Sequence, residues 1–392
     1  MAKPAFLYDN RYAEGTLTAS STAAGFDIAD LADWRPYTSW KAGAASTIVK
    51  TDLASLAYEF TASADGWSGV NATLTTNPTF LNVLATTTDP QILSPSGLTI
   101  DGAVERYIVA RIRRNAGSGW EGSAFYINAA HGSSANHRKT IADPTGGTPG
   151  SWVLAIWDMH DLTAGGDDWE NGVTSRIRLD LGATATDDFD VDWITLQAGL
   201  SADYCLFWGH DFATQGVTAT VRGSDDDFAT STILATLTPT SNRPFAAFFT
   251  AGSYRHFGMN IVGAVAPTIA IAAIGELLEA PQGLGSGFDP LTRRPMGKLS
   301  TSVGGHPLGR AIDYEEWRQT LTFPFVGWDW LRDTWQPAWT AHLRDDPFVL
   351  AWDRVGKPEE LHLVAAAGGF ETPHRKAVAD LSLEVLGVAL AR

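Results

Sequence analysis

The feature that most constrains the fold is the interruption of one β-domain by another. Residues 17–40 have the short apolar runs and turn residues that begin a small β-domain. The segments that would complete this domain come only at residues 204–210 and 217–225. The intervening stretch contains enough strand-like runs for a second β-domain. We therefore predict one β-domain inserted into another, an organisation more typical of a display or adhesion scaffold than of an enzyme with one deep site.

Composition supports a chain built of strands and turns. The 392 residues are 44% hydrophobic and only 18% charged, and they include 38 glycines. This length is sufficient for two to three domains, and this hydrophobic fraction is sufficient for each domain to bury its own core. The formal net charge of −16 argues against a protein that binds nucleic acid, because phosphate contacts need clustered lysine and arginine. It argues equally against electrostatic attachment to anionic lipid.

Short alternating runs bounded by turn residues recur along the chain and predict strands with one buried face. In residues 107–113, Tyr107, Val109, Arg111 and Arg113 share one face, and the residues between them share the other. Because successive side chains of a strand point to opposite faces, one face of this segment is predicted to lie on the core of a sandwich and the other in solvent.

Residues 328–343 form the convincing helical segment of the chain. Apolar residues recur there at spacings of three or four, which places them on one stripe. Pro337 predicts a kink, or two short helices with Pro337 in the first turn of the second. Strand-like segments on both sides of this segment predict a sheet with one helix laid across it.

Two families resemble parts of this sequence. Residues 17–53 with 200–280 resemble a discoidin-type (F5/8 type C) β-sandwich, on the strength of residues 17–21, 33–40 and 221–225. The whole chain resembles minor tail proteins of tailed bacteriophages, which commonly pair such a module with an ending like residues 329–337 and 347–352. Its C-terminal part is similar to the ring-forming domain of distal-tail and tail-tube proteins.

The inserted block resembles the carbohydrate-binding jelly rolls attached to glycan enzymes and phage tails. Gly66 with Trp67, and residues 189–193, carry this likeness. Sugar binding needs an exposed aromatic face beside polar groups. The glycan-binding candidates are Trp120 and Trp169, which sit in loop-like glycine-rich sequence, together with Trp67; the alternative is that these side chains pack in the core.

The predicted fold class is mainly β: a discoidin-like β-sandwich interrupted by an inserted jelly-roll β-sandwich and followed by a C-terminal β-rich domain with one helix, which is distal-tail- or tail-tube-like. The predicted boundaries are residues 1–53 plus 200–280, residues 54–199 for the insertion, residues 281–297 for a Gly/Pro-rich linker, and residues 298–392.

Clustered acidic residues suggest calcium as the one candidate cofactor. Asp161, Asp167 and Asp168 crowd one loop, and calcium takes six to eight oxygen ligands. The alternative is a solvated acidic loop. His131 and His137 share another loop, where they are either polar loop residues or a metal-binding or acid–base pair.

No catalytic motif is recognisable, so we expect a protein that is not an enzyme. The sequence has no HExxH, no phosphate-binding loop and no nucleophile elbow. Cys205 stands alone in an apolar run and is predicted to be buried. No export signal is recognisable, and the longest apolar stretch, residues 261–274, is too short to span a bilayer. We therefore expect synthesis in a host cytoplasm and location in a phage virion.

These inferences give one main functional hypothesis and two alternatives. The main hypothesis is a structural component of a phage tail tip or baseplate, forming a homo-oligomeric ring, contacting the tail tube and hub, and displaying domains toward host surface polysaccharide. The predicted oligomer interface is Trp328, Trp330, Trp335 and Trp339, since abundant aromatic residues often mark subunit contacts. The alternatives are a free-standing carbohydrate-binding protein and an accessory module of a glycan-degrading enzyme.

Overall fold

The computed structural model describes residues 3–375 and 377–388, and the fold is mainly β, as predicted. The described chain divides into two compact units. Residues 14–16 and 52–200 form one, here called the inserted unit, and the remaining described residues form the host unit. The finer assignment to discoidin-like, jelly-roll and ring-forming domains stays a prediction. Among the described residues, no helix combines the length and hydrophobicity that a bilayer crossing requires.

The described chain opens with short elements of the host unit. A one-turn helix, α1 (Arg11–Glu14), and a 3₁₀ turn (Ile28–Leu31) lie between the first strands. Those strands are β1 (Ala5–Leu7), β2 (Thr16–Ala19), β3 (Trp40–Lys41) and β4 (Ser46–Asp52).

The inserted unit is a sandwich of two six-stranded sheets. Its strands are β5 (Ala54–Tyr58), β6 (Ser68–Val70), β7 (Ala72–Thr76), β8 (Leu81–Ala85), β9 (Gln91–Leu93), β10 (Ile100–Asp101), β11 (Tyr107–Ala116), β12 (Ser123–Asn128), β13 (Arg138–Thr140), β14 (Val153–Asp158), β15 (Val173–Asp180) and β16 (Asp188–Gln197). One sheet, the β15 sheet, has the order β13-β12-β15-β9-β6, with β10 beside β15. The other, the β16 sheet, has the order β14-β11-β16-β8-β7, with β5 beside β16.

Side chains from both sheets fill a continuous core within the inserted unit. The predicted inward face of β11 is confirmed, because Ile108, Ala110 and Ile112 all belong to that core. Arg111 and Arg113, on the opposite face, are only half-buried. Val109, on that same opposite face, is fully buried in a second, smaller apolar cluster with Trp193 and Leu200, so the prediction that this face meets solvent is wrong at Val109.

The rest of the host unit follows the insertion. Its strands are β17 (Ser201–Trp208), β18 (Thr218–Ser224), β19 (Thr232–Leu237), β20 (Phe245–Ser253), β21 (His256–Val262), β22 (Thr268–Ile269), β23 (Ile271–Gly275), β24 (Leu277–Glu279), β25 (Arg294–Thr301), β26 (Pro307–Gly327), β27 (Phe348–Ala351), β28 (Leu361–Glu371), β29 (His374–Arg375) and β30 (Val378–Val388). A one-turn helix, α2 (Phe212–Gln215), precedes β18.

Four sheets organise the described strands of the host unit. The largest has the order β24-β1-β27-β28-β30-β26-β25, with β29 beside β30. The second has the order β19-β18-β21-β4-β2. The third is β20-β17-β23, and β22 pairs with β3. Cys205, on β17, is buried as predicted, and burial raises the pKa of its thiol to about 12.

The largest host sheet crosses two of the predicted boundaries. β1 and β24, which fall in the predicted discoidin-like part, pair with each other, and β1 also pairs with β27 of the C-terminal part. Ala5, Phe6 and Leu7 are all fully buried, so this apolar strand takes its place inside the sheet. The predicted linker is also too long, because β25 begins at Arg294 and pairs with β26.

A single helical segment lies between β26 and β27. It consists of α3 (Trp328–Trp330), a π-helical turn (Leu331–Trp335), α4 (Gln336–Ala338) and a second π-helical turn (Trp339–Leu343). Pro337 lies in the first turn of α4, one of the two placements that its missing N–H predicts. Wider π-type turns on either side accommodate the changed hydrogen-bonding pattern.

The tryptophans of this helical segment do not form an exposed patch, so the predicted aromatic interface is wrong in this respect. Trp335 and Trp339 are buried, and Trp328 and Trp330 are half-buried. The reason is that the side chains stack on one another and on the sheet: the ring centroids of Trp335 lie 6.0 Å from those of both Trp330 and Trp339. These tryptophans pack in or against the hydrophobic core of the host unit.

Candidate functional site

Two of the three predicted glycan-binding tryptophans are core residues of the inserted unit. Trp169 is 1% exposed and Trp67 is 4% exposed. The loop that carries Trp169 folds back, and the indole Nε1–H donates a hydrogen bond of 2.7 Å to the carbonyl of Glu105. Neither ring can present a face to a sugar, so the prediction that these two side chains are stacking platforms is wrong.

Trp120 is half-buried but already engaged. Its Nε1–H donates to the carbonyl of Ile141 at 3.0 Å, and its ring packs against Phe189 with centroids 5.8 Å apart. Because both the polar edge and much of the ring have partners, Trp120 fits a rim residue of the core better than a free binding face.

The outward face of the β16 sheet carries a different aromatic and polar group. Trp152 immediately precedes β14, and the next residue pairs with Ile112 of β11, so Trp152 lies beside Arg113. Arg113 pairs across the ladder with Asp190 of β16, and Asp190 pairs with Asn82 of β8. An indole, a guanidinium, a carboxylate and an amide therefore form one row across four adjacent strand positions, here called the Trp152 row.

Hydrogen bonds fix the polar members of the Trp152 row. Arg113 forms an ion pair with Asp190, in which Nε donates to Oδ2 at 3.1 Å. Asn82 donates from Nδ2 to Asp190 at 3.0 Å and to Asp188 at 2.6 Å. Two residues earlier on β11, Arg111 forms an ion pair of 2.6 Å with Asp192. These contacts hold the donor groups rigidly at the surface of the sheet.

Aromatic contacts fix the other end of the row. The Arg113 guanidinium lies 4.6 Å from the ring centroid of Trp152 and 5.4 Å from that of Phe80. Phe80 meets Trp152 edge to face at 6.2 Å. Trp152 and Phe80 are both half-buried, so part of each ring faces solvent. The result is an oriented aromatic surface next to fixed hydrogen-bonding groups.

Sequence reasoning missed Trp152, although a signal for it was present. Alternation along residues 152–157 places Trp152 on the face opposite Trp157, and Trp157 is fully buried. The same alternation puts Arg111 and Arg113 outward on β11. An aromatic residue on the outward face of one strand, beside arginines on the outward face of another, would have indicated this surface.

The three aspartates predicted to hold calcium do not form a common ligand set. Asp161 is exposed, and its carboxylate forms an ion pair of 2.6 Å with Lys139. The lysine ammonium therefore already neutralises the charge of this carboxylate. Asp167 is exposed, and its backbone carbonyl caps the turn to Asn171. Asp168 instead lies against the imidazole of His131, at 2.7 Å. The acidic loop is therefore divided among separate partners.

No protein-family model matches the chain, and no curated protein sequence matches it. Among solved structures, the chain is similar to the N-terminal tandem of two CBM22 domains of Xyn10C from Paenibacillus barcinonensis. The identity is 9%, the match covers 58% of this chain and 98% of that one, and the TM-score is 0.24. A TM-score this low supports no inference about the function of this chain.

Proposed function

We propose that the inserted unit binds carbohydrate at the Trp152 row. The observation that carries this proposal is the cross-strand row of Trp152, Arg113, Asp190 and Asn82, with Phe80 beside it. Pyranose rings stack their C–H faces on aromatic side chains while fixed polar groups bond their hydroxyls. Both kinds of group occur here on the outward face of the β16 sheet, where all of them except the buried Asp190 are half-buried.

The chemistry of the row favours binding over catalysis. Asp190 is buried and is held by both Arg113 and Asn82, so its carboxylate is fixed as an acceptor. A general acid or base would need a carboxyl group free to exchange a proton with a substrate. Stacking on Trp152 with hydrogen bonds to the arginine and amide groups requires no such exchange.

Replacing Trp152 by alanine is expected to weaken glycan binding by tenfold or more, because a central stacking aromatic contributes a large share of a small interface. The full chain is first screened on an array of bacterial surface and plant polysaccharides. The Kd of the strongest ligand is then measured by calorimetry for wild type, Trp152→Ala and Phe80→Ala.

Tyr37→Ala is the matched control, since Tyr37 is a highly exposed aromatic residue of the host unit and lies outside the row. Its Kd is expected to equal that of wild type. Unchanged binding by a folded Trp152→Ala variant would refute the site, and failure of the wild-type chain to bind any polysaccharide would refute the function.

A second proposed function is assembly into a phage tail tip or baseplate, with copies of this chain, the tail tube and the hub as partners. An exposed hairpin favours it. All eight residues of β25 are exposed, as are the described side chains of β26 up to Tyr314. The hairpin carries large apolar side chains in solvent: Met296, Leu299, Leu308, Ile312 and Tyr314. Exposed apolar strands of this kind are usually covered by a partner.

Polar substitution of the hairpin is expected to dissociate such an assembly. Leu299 and Ile312 lie on one face of the hairpin, because Ile312 pairs with Gly297, two residues from Leu299. The double variant Leu299→Ser/Ile312→Ser should sediment as a monomer where wild type sediments as an oligomer. Ile233→Ser/Val265→Ser, at similarly exposed positions elsewhere in the host unit, is the control and should leave the oligomer intact. A monomeric wild type would exclude the ring.

A further inference from the structure

Two loops of the inserted unit bring three metal-binding side chains together, away from the Trp152 row. His131 and His137 lie between β12 and β13, and Asp168 lies in the loop between β14 and β15. The two imidazole rings are stacked, with centroids 3.5 Å apart and an interplanar angle of 8°. One ligand atom from each of the three residues lies within 4.8 Å of the other two. All three residues are half-buried, so the cluster is reachable from solvent.

The outer hydrogen bonds orient both histidines in the same way. Nδ1 of His131 lies 3.0 Å from the carbonyl oxygen of Gly132, to which it can only donate. Nδ1 of His137 lies 3.0 Å from the hydroxyl of Ser134. Metal-binding histidines characteristically use one ring nitrogen for such an oxygen partner and the other for the metal. In both residues the nitrogen that remains is Nε2.

The contact between His131 and Asp168 requires a cation. In a neutral His131 whose Nδ1 carries the proton donated to the carbonyl of Gly132, Nε2 carries a lone pair and no proton. That lone pair faces Oδ2 of Asp168 at 2.7 Å, so two acceptors meet. Either a second proton on the imidazole or a metal ion relieves this repulsion. A second charged imidazolium would repel His137, which is stacked on the same ring. The Nε2 of His137 becomes a second nitrogen ligand when the parallel rings turn so that both lone pairs converge on one ion.

Tyr126 forms the buried floor of the cluster. Its ring meets the edges of His131 and His137 at 5.2 and 6.0 Å, and its side chain is fully buried. The Tyr126 hydroxyl lies within hydrogen-bonding reach of the Asp168 carboxylate. The phenol therefore closes the inner side of the cluster next to its carboxylate.

We propose that His131, His137 and Asp168 bind a zinc ion through the two Nε2 atoms and a carboxylate oxygen, with water as the fourth ligand. Two imidazole nitrogens with one carboxylate oxygen are a donor set that zinc favours, and three protein ligands leave one position open. Calcium is excluded as the preferred ion because it takes six or more oxygen ligands. Asn128, whose Nδ2 donates to Asp168 at 3.3 Å, would orient the carboxylate as an outer-shell group.

The test uses the full chain, freed of metal with a chelator and titrated with zinc chloride alone in a calorimeter. Wild type should bind one zinc ion per chain, and a large excess of calcium should leave the Kd unchanged. His137→Ala and Asp168→Asn should each raise the Kd by tenfold or more. His160→Ala should bind as wild type, because His160 lies in the same unit but is bonded to the carbonyl of Gly102.

Cobalt(II) supplies a second readout that does not depend on folding energetics. Wild type should give the strong visible d–d absorption of a four- or five-coordinate cobalt site, and Asp168→Asn should lose it while keeping a cooperative unfolding transition. The inference is overturned if wild type binds no zinc. It is equally overturned if folded His137→Ala and Asp168→Asn retain the wild-type affinity, which would leave a protonated His131 paired with Asp168.

Discussion

Replacing Trp335 by alanine should lower the free energy of unfolding of the host unit by about 3–5 kcal/mol, the range for removing a large aromatic side chain from a core. Trp335 is fully buried. Its ring centroid lies 5.2 Å from Phe6 on β1, 5.8 Å from Phe370 on β28 and 6.0 Å from Trp339. The side chain therefore joins the helical segment to two strands of the largest host sheet, and its loss leaves a cavity among rigid rings.

Chemical denaturation of the full chain, followed by near-ultraviolet circular dichroism, measures this loss. Trp157→Ala is the matched control, since Trp157 is also fully buried but belongs to the inserted unit. If the two units unfold separately, each variant should shift a different transition. A shift smaller than about 1 kcal/mol for Trp335→Ala would contradict the packing described. Equal shifts of one shared transition would mean that the two units unfold together.

The local sequence pattern was sufficient to predict which residues of β11 enter the core of the inserted unit and where the helical segment lies. On β11, alternation identified which residues enter the core, because a strand side chain has only two directions available. At residues 328–343, the spacing of apolar residues and the single proline predicted both the helical stripe and its irregularity. These features depend on neighbours in sequence, so the sequence alone determined them.

Exposure of aromatic side chains could not be predicted in the same way. Trp169 sits in glycine-rich sequence, yet its loop folds onto the core and its indole reaches the Glu105 carbonyl, 64 residues away. The many tryptophans of the helical segment were predicted to lie partly on the surface. Trp335 and Trp339 are buried instead, because their rings stack on each other and pack against a broad sheet. Burial depends on distant partners, and composition does not specify those partners.

The candidate sites depend on long-range register. Arg113 lies opposite Asp190 because of the register in which β11 pairs with β16. That register changes at an irregularity between Arg111 and Ile112. A displacement by one residue would put the partner side chains on the opposite face. His131 and Asp168 meet only because two loops approach each other at one end of the sandwich. The residue types were recognisable in sequence, whereas their association was not.

β1 gives a related lesson about domain boundaries. Only three residues long, it pairs with β24 on one side and β27 on the other. Deleting residues 298–392 would remove β27 and expose the apolar side chains of Ala5, Phe6 and Leu7. Such a truncation would confound loss of assembly with loss of folding. Substitution on the exposed β25–β26 hairpin separates the two effects.

Acidification from pH 7 to pH 4 is expected to destabilise the host unit through His362. This residue of β28 is 7% exposed, and its ring is stacked on Trp317 with centroids 4.2 Å apart. Burial and, to a smaller extent, the charge of Arg293 lower the pKa of His362 to about 4. Its Nε2 has no hydrogen-bond partner among the described residues, so nothing there stabilises the charged form.

The sign of the effect follows from which state binds the proton. Above the unfolded pKa of about 6.5, His362 is neutral in both states and stability does not depend on it. Between pH 6.5 and 4, the unfolded chain binds a proton that the folded chain rejects, so stability falls as the pH falls. The loss approaches about 3 kcal/mol near pH 4, where the folded imidazole also becomes protonated and the contribution levels off.

The measurement is the free energy of unfolding at a series of pH values for wild type and His362→Phe, which keeps an aromatic ring on Trp317 but cannot titrate. Carboxylates also titrate in the lower part of this range, so the informative quantity is the difference between the two proteins. That difference should shift in favour of the variant as the pH falls from 6.5 to 4. His374→Phe, which changes an exposed histidine of the same unit, should keep the wild-type slope. Parallel curves for wild type and His362→Phe would mean that His362 accepts its proton in the folded state as readily as in the unfolded one.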